Sequence, residues 1–295
     1  MDILIKVLQI VAPVFTLAAI GFVWVRLKLG YDLALVTRLA MQLGLPCLMF
    51  TALARADLDL HLLSDLALAT GAGYLAVTVL SLSLCMALGL DLRAFLSPII
   101  FGNTGNLGLP VAYYAFGETG LAYAMVVFAL MAIMNFTFGV WLVSGRGSRE
   151  MLRQPITYAV ILGGAAMLTR WQPPGWVMNT LDLAGQIAIP LMLLTLGVAM
   201  ASLGTGAIGR ALMLALAKLG IGLAAGVAVV TATGLGFGTA GGAVILQLSM
   251  PVAVTSYLLA ARYDTRPGEV AGLVVVSTLL AVPAIPLLLA FLLSR

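Results

Sequence analysis

Phe101-Gly102-Asn103-Thr104-Gly105-Asn106-Leu107-Gly108-Leu109-Pro110 sets three glycines, two asparagines, a threonine and a proline between the apolar flanks 95–100 and 111–116. Glycine and proline weaken a helix, and hydrocarbon cannot solvate free amides. Irregular backbone at membrane depth persists only where protein buries it or where it lines a cavity. The chemistry on offer is recognition without fixed charge. Amide and hydroxyl donors stand beside the unpaired N–H groups that open a half-helix, a combination suited to an anion that must be released again. A glycine-lined packing seam between helices is the bland alternative.

The pattern recurs. Asn106-Leu107-Gly108-Leu109-Pro110-Val111-Ala112 aligns with Gln247-Leu248-Ser249-Met250-Pro251-Val252-Ala253, and the segment 42–51 aligns with 186–195. Gln9, Gln42, Asn106, Gln186 and Gln247 each stand four residues before a proline, although the chain has only ten Asn or Gln and twelve prolines. Proline has no N–H, so the carbonyl four residues earlier loses its helical partner. The amide side chain of that same residue concentrates polarity on one helix face. Support of a helix kink is reason enough for Gln9, Gln42 and Gln186. Asn106 and Gln247 also have polar neighbours at the break, which makes them binding candidates. The proposed contacts to substrate are Asn103, Thr104, Asn106, Pro110, Gln247, Ser249, Pro251 and Thr255. Residues 243–245 supply no equivalent of Asn103 and Thr104, so most hydrogen bonds are expected from the first stretch. Neither break contains Asp or Glu, which weakens the case for a dedicated cation site; backbone carbonyls leave coupling to Na⁺ open.

Three further polar residues sit inside apolar stretches. Lys218 is costly at membrane depth and has three readings: substrate counter-charge, proton carrier, or buried partner of a carboxylate such as Asp182. Asn135 reads either as interhelical glue or as a substrate contact. Arg38 either snorkels to the inner surface or serves as a cytoplasmic-side gate or an anion-attracting charge. Cys47 and Cys85 lie within apolar stretches without metal-ligand spacing, and no cofactor is expected. A single histidine, no HExxH and no nucleophile–base pair at depth argue against an enzyme. His61 lies in a segment, 55–65, that reads as a solvated loop with Asp57, Asp59 and Asp65.

These residues must be positioned by membrane helices. The chain is 62% hydrophobic and 9% charged, with a mean hydropathy of +1.14, which excludes an ordinary soluble domain. Apolar runs near the bilayer-crossing length recur at roughly 3–25, 32–54, 64–88, 94–116, 119–143, 155–170, 176–201, 209–231, 238–262 and 268–293. The fold class expected is all-α and integral to the membrane, with ten transmembrane helices. Residues 1–143 form a first five-helix repeat, 144–154 a short cytoplasmic connection and 155–295 a second repeat. An odd number of spans per repeat inverts the second copy, and inverted repeats with paired broken helices are typical of secondary transporters. Helices four and nine are the broken, crossing pair.

Basic residues set the orientation. Arg26, Lys28, Arg93, Arg146, Arg149, Arg153, Arg210, Arg262 and Arg266 follow odd-numbered spans, whereas Lys6, Arg55, Arg170 and Arg295 fall on the other side. Positive charge stays in the cytoplasm, so both termini are expected outside. Trp24 and Trp141 fall at the inner boundary, and Trp171 and Trp176 at the outer one. The N-terminus has no basic n-region or cleavage site, so the first span is expected to be retained. The net charge of +4 sits in short loops and does not suggest nucleic acid as a partner.

The run 102–110, followed by Phe116-Gly117 and Gly120-Leu121-Ala122-Tyr123-Ala124, resembles bacterial members of the auxin efflux carrier family. Met250-Pro251 and the segment 257–263 resemble that family's second crossover. The resemblance implies a ten-helix inverted-repeat fold shared with bile-acid sodium symporters. It also implies a homodimer in the bacterial inner membrane, with spans one, two, six and seven as scaffold and an elevator-like movement. Family substrates are organic anions: auxin in plants, malonate, malate and similar carboxylates in bacteria. By match, the anion site falls on Asn103, Asn106, Pro110, Gln247 and Pro251. The short connection between halves departs from the plant carriers, so regulation through a long cytosolic loop does not transfer. Na⁺-coupled symport of the bile-acid type is the alternative within transport, and a transporter turned receptor is the alternative outside it.

Overall fold

The computed structural model describes residues 2–55, 60–145, 155–202 and 208–294. Fourteen α-helices and three π-helical turns account for nearly all of them. The helices are α1 (Asp2–Arg26), α2 (Leu33–Leu39), α3 (Leu45–Arg55), α4 (Leu60–Ala87), α5 (Leu92–Ile100), α6 (Leu109–Met134) and α7 (Val140–Ser144). They continue as α8 (Pro155–Thr169), α9 (Gly175–Gln186), α10 (Ala188–Ser202), α11 (Ile208–Ala232), α12 (Thr239–Leu248), α13 (Val254–Arg262) and α14 (Pro267–Leu293). No strand occurs among the described residues, and one isolated antiparallel bridge joins Gly102 to Val252.

Among the described residues, seven helical stretches are long and apolar enough to cross a membrane. The ten expected spans do not all appear as helices of crossing length. The stretch Thr104–Ser144 runs together across Gly117, whose φ of 69° kinks it, and so merges two expected spans. Helix α8 has 15 residues and α12 only 10 before its break, both below the crossing length on their own. Large apolar side chains such as Leu68, Leu75, Leu183 and Leu287 are exposed, as are Trp24, Trp141, Trp171 and Trp176. That outward apolar surface suits lipid and not water, so this is an integral membrane protein.

The amide-to-proline spacing resolves into different local structures. Pro13 is carried inside uninterrupted α1. Before Pro46 and Pro110 the chain widens into π turns, Ala40–Gly44 and Thr104–Gly108. The wider turn shifts hydrogen-bond register, as when Leu109 N–H reaches back to Thr104 O. Before Pro190 the chain re-starts as α10, and before Pro251 it breaks outright after Leu248. A third π turn, Asn135–Gly139, begins at Asn135.

The closest backbone approaches fall within two groups of helices, here called bodies, although α1 also packs against α14 and α6 across them. Helix α1 packs along α10, and α3 is flanked by α8 and α9. Within this first body a Cβ on Gly197 would stand 2.7 Å from Ala18 C and Phe22 N, and one on Gly185 would stand 3.0 Å from Leu48 Cα. The second body gathers α4, α5, α6, α11, α12 and α14. There a Cβ on Gly222 would meet Leu248 C at 2.9 Å, and one on Gly226 would meet Ile245 Cα at 3.0 Å. Across the bodies, the nearest glycine approach among the described residues is Gly105 to the flexible Met192 methyl, at 3.7 Å for the added Cβ.

Ion pairs brace the ends. Arg210 and Arg266 both pair with Glu269, and Arg266 Nε stands 3.7 Å from Asp91, tying the starts of α5, α11 and α14 together. Arg55 on α3 forks onto Asp182 on α9. His61 and Asp65 belong to the first turns of α4 and not to a loop, which corrects part of the 55–65 expectation. Asp57 and Asp59 lie outside the described residues, as does the connection from residue 146 to 154.

Candidate functional site

The two breaks lie against each other. Helix α5 ends at Ile100, and the chain runs extended through Phe101 before Asn103 opens the π turn. Asn103 N–H donates to Pro251 O at 2.6 Å, and Val252 N–H is taken by Ser277 Oγ from α14 at 3.0 Å. The second break thus supplies a partner that the first one's interruption removed, and α14 supplies one to the second, as buried backbone polar groups require. Gly102 makes the approach possible, because a Cβ there would press on Met250 O at 3.0 Å.

Around this contact, buried polar atoms stand without hydrogen-bond partners. They are Asn103 Nδ2, Thr104 Oγ1, Asn106 Oδ1, Gln247 Oε1 and Ser249 Oγ. Only three other buried side-chain atoms among the described residues share that condition. Each unmade bond to a buried polar group costs roughly 1–3 kcal/mol, so five in one place mark a locus that a ligand or water completes. Gln247 is fully buried; its Nε2 donates to Ala124 O at 3.4 Å while its carbonyl end lies against Gly108. The leading amides of the half-helix that starts at Thr104 add donors and a positive dipole end. Asn103 Nδ2, Thr104 Oγ1 and Ser249 Oγ can donate, whereas Asn106 and Gln247 present carbonyl oxygens, which accept.

Of the sequence candidates, Asn103, Thr104, Asn106, Pro110, Gln247, Ser249 and Pro251 are buried. Thr255 is not among them. It stands exposed on α13, one residue short of the buried Ser256, because the helical turn carries it to the outer face. Arg38 is exposed in the last turn of α2. Asn135 is buried beside Gly139, where the absent Cβ makes room for Asn135 Oδ1 and for the Phe101 ring. Lys218 is buried, but its partner is not Asp182, which belongs to Arg55; Lys218 Nζ donates to Ile99 O at 2.8 Å. Gln9, Gln42 and Gln186 are exposed, unlike Asn106 and Gln247.

Two residues that sequence reasoning missed belong to this neighbourhood. The Tyr74 ring stacks on Phe101 with centroids 6.3 Å apart, and its buried hydroxyl has no partner. Ser277 carries the second break's N–H. A tyrosine and a serine inside otherwise apolar spans were the available signals. A cavity of about 700 Å³ opens between α3, α9 and α10 on one side and α6 on the other. Thr51, Arg55, Tyr113, Glu118, Asp182 and Gln186 line it. Among the described residues, no three His, Cys, Asp or Glu side chains gather to hold a metal ion.

A lipid-facing helical bundle that buries unpaired polar groups at two touching helix breaks has the build of a membrane transporter. Sequence comparison agrees. The membrane transport protein family matches residues 6–152 and 139–289, and the chain belongs to that family, the auxin efflux carriers whose motifs it resembles. An "Uncharacterized transporter" of Methanothermobacter thermautotrophicus is 29% identical over 278 residues, covering 87% of this chain and 88% of the relative. A "Putative malonate transporter" of Rhizobium meliloti is 23% identical over 311 residues, covering 95% and 94%. The protein is a transporter and not an enzyme.

Proposed function

We propose that this protein carries small organic anions, carboxylates of the malonate and malate kind, across the membrane. The observation that carries the reading is the cluster of five unpaired buried polar atoms where the breaks meet. A carboxylate there accepts from Asn103, Thr104, Ser249 and the amides that open the half-helix, with Asn106 turning its NH₂ group toward it, while Gln247 keeps its Nε2 on Ala124 O and walls the site. Hydrogen bonds to a charged acceptor are worth about 1.5–3 kcal/mol each, which offsets dehydrating the anion. With no fixed cation among those donors, release remains possible. The name of the Rhizobium relative supports the substrate class.

The movement proposed is of the elevator kind. Close glycine approaches lie inside each of the two bodies, while the cavity of about 700 Å³ lies between them. The first body coincides with expected spans one, two, six and seven, the scaffold of the resemblance. Ten spans in two inverted repeats, 1–143 and 155–295, would place both breaks near midplane. Both termini would lie outside the bacterial inner membrane, and a homodimer would form on the scaffold.

Thermal unfolding of the purified protein with malonate, malate, indole-3-acetate or the dimethyl ester of malonate tests the reading. Saturating a site at about 100 times its Kd stabilises by about 2.7 kcal/mol. Acids should raise the midpoint and the ester should not. A midpoint indifferent to every acid would overturn the anion assignment. The Na⁺-coupled alternative is favoured by the amide oxygens of Asn106 and Gln247, which lack donors. It requires uptake that rises with an inward sodium gradient at fixed membrane potential.

A further inference from the structure

Lys218 is a buried lysine with no ion pair among the described residues, and the donors and acceptors around the breaks explain what holds it. In an uninterrupted helix Ile99 O would receive the N–H of Asn103, four residues on. That N–H instead serves Pro251 O, so the break strips α5 of a terminal bond. Lys218 Nζ replaces it at 2.8 Å. One helical turn further along the same face of α11, Gly222 lets Leu248 C=O, the end of α12, settle onto the backbone. A single face of α11 therefore spans the C-terminal ends of both broken half-helices. Those ends carry partial negative charge, which favours the charged form of the lysine.

We propose that Lys218 is a tethered cation, holding the place at the end of α5 that a free alkali ion would otherwise fill, so that transport needs no such ion. Beside it lies a small cavity whose lining is mostly apolar side chains of α11 and α14, with Lys218, Ser249 and Ser277 as its polar residues. Ser249 Oγ is buried there without a partner. Removing the lysine side chain enlarges this space and leaves Ile99 O, Ser249 Oγ and Ser277 Oγ around it, oxygen ligands of the sort a hard cation takes. The consequence for cargo rests on the transporter reading above. The cation site itself does not.

The test is thermal unfolding of the detergent-purified chain in sodium, lithium or N-methylglucamine chloride at constant ionic strength, without any carboxylate. Wild type should unfold at the same temperature in all three. Lys218→Met should unfold earlier in N-methylglucamine and recover saturably as sodium or lithium is added. Recovery of a folded variant only when sodium is present throughout purification counts as the same result. Wild type that gains stability from sodium overturns the proposal. So does a folded Lys218→Met indifferent to all three cations. Should Lys218→Met yield no folded protein in any salt, Lys218→Ser is scored in its place, and its indifference to sodium is equally fatal. Because no cargo is present, these outcomes stand apart from success or failure of the carboxylate assignment.

Discussion

Gly108→Ala probes the contact between the two breaks. An ideal Cβ on Gly108 would stand 2.9 Å from Gln247 Cδ and 3.2 Å from Nε2, and closer still to Oε1. Ordinary contact begins at 3.4 Å, so the amide must retreat by about half an ångström at Cδ and further at its oxygen. Gln247 is fully buried, and its Nε2 bond to Ala124 O is already 3.4 Å long. Retreat breaks that bond and forces the side chain off its rotamer, an overpacking cost of about 1–3 kcal/mol. Gln247→Ala alone removes a bond and leaves a void, at a cost of about 2–4 kcal/mol. In the double variant the two methyl groups no longer collide, so the combined loss should fall short of the sum by at least ~1 kcal/mol. Unfolding midpoints of wild type, both single variants and the double variant measure the coupling. Additivity within about 0.5 kcal/mol would mean that Gly108 and Gln247 do not touch, and the site's geometry would be refuted.

The scaffold seam gives a sharper contrast between two glycines. Gly197→Ala drives a methyl into the α1 backbone at Ala18 and Phe22 and should cost about 3 kcal/mol, whereas Gly164→Ala meets nothing within 4 Å and should stabilise by about 0.5–1 kcal/mol. Equal midpoints for the two variants would count against the seam. Ser249→Ala should weaken carboxylate binding about tenfold or more through one lost charge-assisted bond, while the exposed Thr255→Ala should bind as wild type does. Isothermal titration separates the two, and a matching loss in both would contradict the burial argument. Gly105→Cys with Met192→Cys, bridged by mercury, should stop uptake until thiol is added, because residues 105 and 192 sit on opposite bodies. Uninterrupted uptake with complete bridging would rule out relative movement at that point.

The breaks were legible because glycine, amide and proline accumulate where an apolar span should be monotonous. The same amide-to-proline spacing did not reveal which copies matter. Gln42 and Gln247 share it, yet one is exposed and the other fully buried, a difference made by helices distant in sequence. Thr255 and Ser256 differ by one position, a rotation of about 100° at 3.6 residues per turn, and the facing of a half-helix that begins at a break has no register to count from. Lys218 was visible as an anomaly, but its partner is a backbone carbonyl, and every residue has one. Only the interruption at 101–103 makes Ile99 O available. Asp182 illustrates the converse: a carboxylate in an apolar stretch invited pairing with Lys218, and the nearer cation was Arg55. The connection between the proposed halves, from residue 146 to 154, lies outside the described residues.

Uptake of labelled malonate into proteoliposomes by wild type, Asn106→Ala and Gln247→Ala tests the central claim most directly, with all three checked for equal reconstitution. Each substitution removes a buried amide at one of the two breaks, so wild type should accumulate label and both variants should fall to the rate of empty vesicles. Uptake that persists unchanged in both variants would show that the anion does not pass between these breaks.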